Sequence, residues 1–108
     1  MDRKIITISG SYRFRDMMMD AYDELTKWGH LVWLPGLPRE NAKGSTPHSV
    51  SAYFTHVEKI RRSDYLVVIC PGNYIGESTS VELNYASACH IPIAYIRDLD
   101  DLLVFHDS

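Results

Sequence analysis

Ser63-Asp-Tyr-Leu-Val-Val-Ile-Cys-Pro-Gly-Asn-Tyr-Ile-Gly-Glu-Ser-Thr-Ser-Val-Glu-Leu-Asn-Tyr-Ala86 holds, in order, an unbroken apolar run, a polar turn and a helical segment. The run from Tyr65 to Cys70 suits a central strand of a parallel sheet, where both faces are covered and no polar alternation is needed. Pro71, Gly72 and Gly76 punctuate the turn. From about Ser78 to Cys89 the spacing predicts a helix that buries Val81, Leu83, Tyr85, Ala86 and Cys89 to varying degrees. Glu82 falls in its first turns. Open α/β sheets bind ligands at the carboxyl ends of their strands, so this stretch sets one carboxylate at a ligand edge.

The flanking sequence extends the same alternation of strand and helix. Lys4-Ile-Ile-Thr-Ile8 reads as a buried first strand closed by the turn Ser9-Gly10-Ser11. Met17, Met18, Ala21, Tyr22, Leu25 and Trp28 recur at three- and four-residue steps, an amphipathic helix that Gly29 stops, with the methionines as core filler. His30-Leu-Val-Trp-Leu34 is the second strand, ended by Pro35-Gly36. Leu37 to Ser49 is a long polar segment of the kind that serves as a lid or flap. Ser49 or Ser51 is expected to cap a second helix reaching about Arg62, with Ala52, Phe54 (or Tyr53), Val57 and Ile60 on its inner face. Ile91-Pro-Ile-Ala-Tyr-Ile96 is a further strand, and Leu102-Leu-Val-Phe105 is an edge strand or a terminal turn of helix. Such alternation implies right-handed crossovers. The expected fold is α/β, a Rossmann-like three-layer sandwich with a four- to five-stranded, mainly parallel sheet, in one domain over residues 1–108.

Composition narrows the partners. The 108 residues are 45% hydrophobic and 23% charged, ordinary for a globular chain, and the net charge of -3 disfavours a nucleic-acid polymer or an anionic membrane. Lys59, Arg61 and Arg62 form the basic cluster, read as a solvated helix end. Cys70 and Cys89 sit in apolar surroundings and read as free thiols. The five histidines make no H-x-x-x-H pair, so no metal is expected. No stretch has the length of a membrane span and no signal-peptide pattern precedes the first strand, so a cytoplasmic location is expected.

Three loops converge on the ligand edge: Ser9-Gly10-Ser11-Tyr12-Arg13, the Pro35–Pro47 segment, and Pro71 to Ser80. Neither G-x-G-x-x-G nor G-x-x-x-x-G-K-[ST] occurs, which removes support for a dinucleotide or P-loop site. A Gly-Ser turn entering a helix can still offer N–H groups to a phosphate, with Arg13 as a charged fork. Ser78, Thr79 and Ser80 surround the start of the last long helix, where at least one is expected to cap it, and Glu77 offsets the helix dipole. Glu82 lies four residues past Ser78 and so shares its face. A carboxylate there can bind a sugar hydroxyl or attack an anomeric carbon.

Together, Ile8-Ser-Gly-Ser-Tyr-Arg13, the Arg62-Ser-Asp64 that precedes Tyr65-Leu-Val-Val-Ile69, and Gly76 through Ala86 with Glu82-Leu-Asn-Tyr-Ala86 resemble the nucleoside 2-deoxyribosyltransferase superfamily. Its small members, the 2′-deoxynucleoside 5′-phosphate N-hydrolases, are the nearest in character, and the resemblance covers most of the chain. It implies Glu82 as a nucleophile forming a deoxyribosyl ester. It also implies Ser11 and Arg13 at a 5′-phosphate, and Ser78 and Ser80 along the sugar and phosphate pocket. Three positions depart from the family pattern. His56 stands where an assisting Asp is expected, Thr7 replaces a Tyr on the first strand, and Ser78 replaces a glycine. A histidine can donate a proton to a leaving base.

The resulting expectation is an enzyme acting at the N-glycosidic bond of a (deoxy)nucleoside or nucleoside monophosphate, without a cofactor and as a homodimer or higher homo-oligomer. Its catalytic residues would be Glu82 and His56, with Ser9, Gly10, Ser11, Tyr12, Arg13, Gly76, Ser78 and Ser80 binding substrate. Tyr12, Trp33 or Tyr74 would stack on the base. The alternatives are a nucleotide-binding module without turnover and an interaction protein with a vestigial pocket.

Overall fold

The structure, a computed structural model, describes residues 1–35 and 47–108, the side chains of 47–53 excepted. Four strands, β1 (Ile5–Gly10), β2 (Leu31–Trp33), β3 (Tyr65–Ile69) and β4 (Ile93–Ile96), form one sheet in the order β2-β1-β3-β4, with every pairing parallel. Helices α1 (Arg15–Lys27), α2 (Pro47–Arg61), α3 (Glu77–Ala88) and α4 (Leu99–Asp107) supply the crossovers and the close. The sheet is thus four-stranded, and the chain's end is a helix rather than an edge strand. Asp98 explains that ending: its carboxylate accepts the Asp101 N–H at 3.0 Å as an N-cap, while Asp101 accepts the Arg97 N–H at 2.9 Å.

Strand parity sorts the core into two layers. Ile6 and Ile8 of β1, Val67 and Ile69 of β3 and Ile96 of β4 pack with Met18, Ala21 and Leu25 of α1 and Leu102 of α4. The opposite parity of β3, Leu66 and Val68 followed by Cys70, packs with Ile60 of α2 and Ala86 of α3. The three-layer sandwich follows directly from side chains alternating across a strand. Of the methionines expected as filler, Met18 is buried, whereas Met19 is exposed.

Two local predictions need correction. Helix α2 begins at Pro47, ahead of the Ser49 or Ser51 cap position, and Phe54 points outward with 65% of its surface exposed. The inner face of α2 carries His56 and Ile60, one helical turn apart, which leaves Phe54 half a turn away. Helix α3 starts at Glu77 on Gly76, with no side-chain cap, so none of Ser78, Thr79 and Ser80 serves as one. Most of the predicted 37–49 lid falls outside the described residues. Gly29 does end α1: it adopts φ 98°, and the His30 N–H reaches back to the Leu25 carbonyl at 3.2 Å. Among the described residues no helix is long and apolar enough to cross a membrane.

Candidate active site

In the order β2-β1-β3-β4, successive crossovers leave β1 and β3 in opposite directions, and the crevice between their carboxyl ends is where such sheets take ligands. β1 faces that crevice through its odd residues. While Ile6 and Ile8 serve the core, Thr7 and Ser9 turn toward α2 and α3, and both are fully buried. A buried hydroxyl needs a partner. Thr7 Oγ1 finds Ser63 Oγ at 2.5 Å, and Ser63 in turn donates to the Lys59 carbonyl at 2.7 Å. Ser9 Oγ donates to Glu82 Oε2.

Glu82 reaches Ser9 because of its place on α3. Thr79, Glu82 and Ala86 are spaced by three and four residues and form the inward stripe, with Thr79 3% exposed, the Glu82 side chain 12% and Ala86 0%. Ser78 and Ser80 lie off this stripe and are exposed. His56 arrives from α2: it is 3% exposed, and its Nε2 stands 3.5 Å from Glu82 Oε2. That is ion-pair range without hydrogen-bond alignment, and neither ring nitrogen has a hydrogen-bond partner among the described residues. Both ring nitrogens are therefore unspent beside a carboxylate, the usual equipment of proton transfer.

The other predicted residues form the rim. Ser11 accepts the Arg13 N–H at 3.4 Å and opens a short 3₁₀ turn over Tyr12–Phe14. The Arg13 guanidinium lies 4.1 Å over the Tyr74 ring, and Phe14 meets the same ring edge-on, so the loops after β1 and β3 are joined through Tyr74. The Tyr12 hydroxyl accepts from Arg15 at 2.7 Å. Gly10 is required by packing: a Cβ there would meet the Ile69 carbonyl at 3.0 Å and the Met18 sulfur at 3.3 Å. Arg97 bonds Asn73 at 2.5 Å, fastening the β3–α3 turn to the end of β4.

The structure thus brings Ser9, His56 and Glu82 into one cluster and leaves Tyr12, Arg13, Ser78 and Ser80 exposed around it. Sequence reasoning missed Thr79 and the commitment of Ser9 to Glu82. The signals were present in the Ile-Thr-Ile-Ser alternation of residues 6–9 and the three-four spacing that ends on Ala86.

Nearby titratable groups are accounted for by packing. Burial pushes the Cys70 thiol up, as expected of an inert core cysteine. Hydrogen bonds from Arg61 and Arg62 hold the exposed Glu58 carboxyl down at about 2. Glu58 and Arg62 line an open groove of about 500 Å³ with Trp33, Phe54, Thr55 and Lys59. That groove shares no residue with the Glu82 cluster. No group of three or more potential metal ligands occurs among the described residues.

Fold and cluster define an α/β protein of the Rossmann-like class with an acidic residue at its ligand edge. No family model matches the sequence, and no curated protein does. Solved structures do match. A 2-deoxyribosyltransferase from Bacillus psychrosaccharolyticus superposes with a TM-score of 0.73 at 20% identity, over 91% of this chain and 89% of that one. A 2-desoxiribosyltransferase from Leishmania mexicana gives 0.58 at 21% identity over 86% of this chain, and a conserved protein from Enterococcus faecalis gives 0.61 at 19% identity over 86%. The chain spans 63% and 62% of those two chains respectively. The chain shares its fold with these 2-deoxyribosyltransferase structures.

Proposed function

We propose that this chain cleaves or transfers at the N-glycosidic bond of a (deoxy)nucleoside or nucleoside monophosphate, with Glu82 as nucleophile. The observation that carries the reading is the Glu82–His56 pair, a carboxylate and a buried imidazole 3.5 Å apart at the ligand edge. Glu82 bonds to C1′ as the C1′–N bond breaks, and that bond's electron pair leaves with the base, which takes a proton from His56. Water then adds to C1′ and returns a proton to the imidazole, while the ester's electron pair goes back to the carboxylate. A second base in place of water turns hydrolysis into transfer. An oxocarbenium-like transition state is what makes a carboxylate suitable there.

Ser11 and Arg13 would hold a 5′-phosphate, and Gly76, Ser78 and Ser80 would line the sugar side. No step calls for a cofactor or metal. The reading takes residues 1–108 as one domain working in the cytoplasm as a homo-oligomer, for which the exposed Leu103 and Val104 of α4 offer apolar surface. The test is incubation with deoxynucleosides and their 5′-monophosphates, with free base resolved by chromatography. Glu82→Gln should reduce release by at least about 10³-fold and His56→Gln by about 10²- to 10⁴-fold. Release that survives Glu82→Gln would sink the assignment.

A second reading, a nucleotide-binding module without turnover, is favoured by Thr7, whose hydroxyl is tied to Ser63 and not to Glu82. It predicts thermal stabilisation by a nucleotide with no base released.

A further inference from the structure

The polar groups around Glu82 are not spread evenly over its two oxygens. Ser9 donates to Oε2, and His56 Nε2 stands 3.5 Å from that same atom. Among the described residues Oε1 makes no hydrogen bond or ion pair. A Glu side chain has three rotors, and an untethered carboxylate on a helix spends most of its time off any one line of attack. Ser9 can restrain it because Ser9 itself cannot move: it is fully buried in a central strand, in register with Val68 of β3.

We propose that Ser9 is a positioning residue for the reaction proposed above, on which this inference rests: its hydroxyl anchors Oε2, so that Oε1 is the oxygen delivered to the sugar carbon. The assignment replaces the substrate contact expected of Ser9 from sequence, since a side chain with no accessible surface has none to offer a ligand. The hydrogen bond persists through both steps. When Oε1 bonds to C1′ and the base departs with its electron pair, Oε2 becomes the ester carbonyl oxygen and still accepts from Ser9. When the C1′–Oε1 bond breaks, the returning charge is shared with an oxygen already hydrogen-bonded, which favours the leaving carboxylate.

The experiment compares the intact chain with Ser9→Ala, Glu82→Gln and the double variant, using base release and thermal unfolding without ligand. Loss of base release in Glu82→Gln first establishes the underlying reading; its persistence would overturn that reading whatever Ser9 does. Given that loss, Ser9→Ala should lower kcat about 10- to 100-fold with KM changed less than about twofold, since misplacement of a reacting atom acts on the chemical step. Its Tm penalty should also shrink in the Glu82→Gln background, because an amide is a weaker partner than a carboxylate. Unchanged kcat, or a raised KM at constant kcat, overturns the positioning role. So does an equal Tm penalty in both backgrounds. If Ser9→Ala fails to fold, Ser9→Cys carries the same test with a weak thiol donor in nearly the same volume, with the same outcomes deciding it.

Discussion

Substituting Thr7 should have opposite effects on stability depending on residue 63. Ser63 gives its only proton to the Lys59 carbonyl at 2.7 Å, so the 2.5 Å contact between Ser63 and Thr7 must use the Thr7 proton. Thr7→Val removes that donor and replaces it with a methyl of similar shape, while Ser63 keeps its bond to Lys59. The loss is one net hydrogen bond, about 1 kcal/mol. Ser63→Ala instead strands a hydroxyl that is fully buried, which adds a desolvation penalty and costs about 2–3 kcal/mol in total. In that background Thr7→Val relieves the stranded group and should stabilise the chain by about 1 kcal/mol. For a domain of this size 1 kcal/mol corresponds to about 4 °C in Tm. Equilibrium urea unfolding of the four chains measures the cycle. Thr7→Val acting with the same sign in both backgrounds would refute the energetic coupling of the two hydroxyls. Because Thr7 touches the end of α2 and not Glu82, Thr7→Val should leave base release unaltered.

Gly10→Ala should destabilise by about 1–3 kcal/mol, since its Cβ would press on the Ile69 carbonyl and the Met18 sulfur, and β1 and β3 cannot part without losing pairing; Tm within 1 °C of the parent would contradict this. Burial, then the neighbouring His106, lowers the pKa of His30, with smaller contributions from the N-terminus, Arg3 and Lys4. The unfolded chain therefore takes up a proton that the folded chain resists. Stability from this group is fully present above about pH 6.5 and declines as pH falls through that value. His30→Asn keeps an acceptor for the Lys4 N–H, now bonded to Nδ1 at 3.0 Å, and should flatten the Tm profile between about pH 7 and 5.5. An equal slope in both chains would mean that another group sets it.

The fold was legible because its signals are local and redundant. Tyr65 to Cys70 reads as a buried strand from hydrophobicity alone, and Gly29 and Pro35 mark ends that the backbone honours. The tail was ambiguous because Leu102 to Phe105 is too short a run for period to separate helix from strand, and the capping pair Asp98 and Asp101 was the overlooked signal. On α2 the expected inner face holds at Ile60, but Phe54 was placed there on apolarity alone, whereas the residue buried one turn before Ile60 is polar. The burial of His56 is the correction. The sequence placed Glu82 near the start of α3, where the structure has it beside Ser9 and His56, but Ser78 was chosen as its neighbour by counting four back. Counting three, to Thr79, would have kept the stripe aligned with Ala86 in the core.

The site is fixed by the pitch of one strand. Thr7 and Ser9 are two residues apart on the same face of β1, about 6.6 Å. One fastens the end of α2 through Ser63, and the other fastens α3 through Glu82. Helix α2 packs on a parallel sheet and runs back against the strands, so the seven residues from Ser63 to His56 climb about 10 Å along β1 toward its carboxyl end. That climb carries the imidazole past the level of Ser9 to the oxygen Ser9 already holds. A one-residue slip of β1 would exchange hydroxyls for isoleucines on this face and release both helices at once. The alternation in Ile6-Thr-Ile-Ser9 therefore encodes two things together, a core on one side of the sheet and the spacing of a carboxylate and an imidazole on the other.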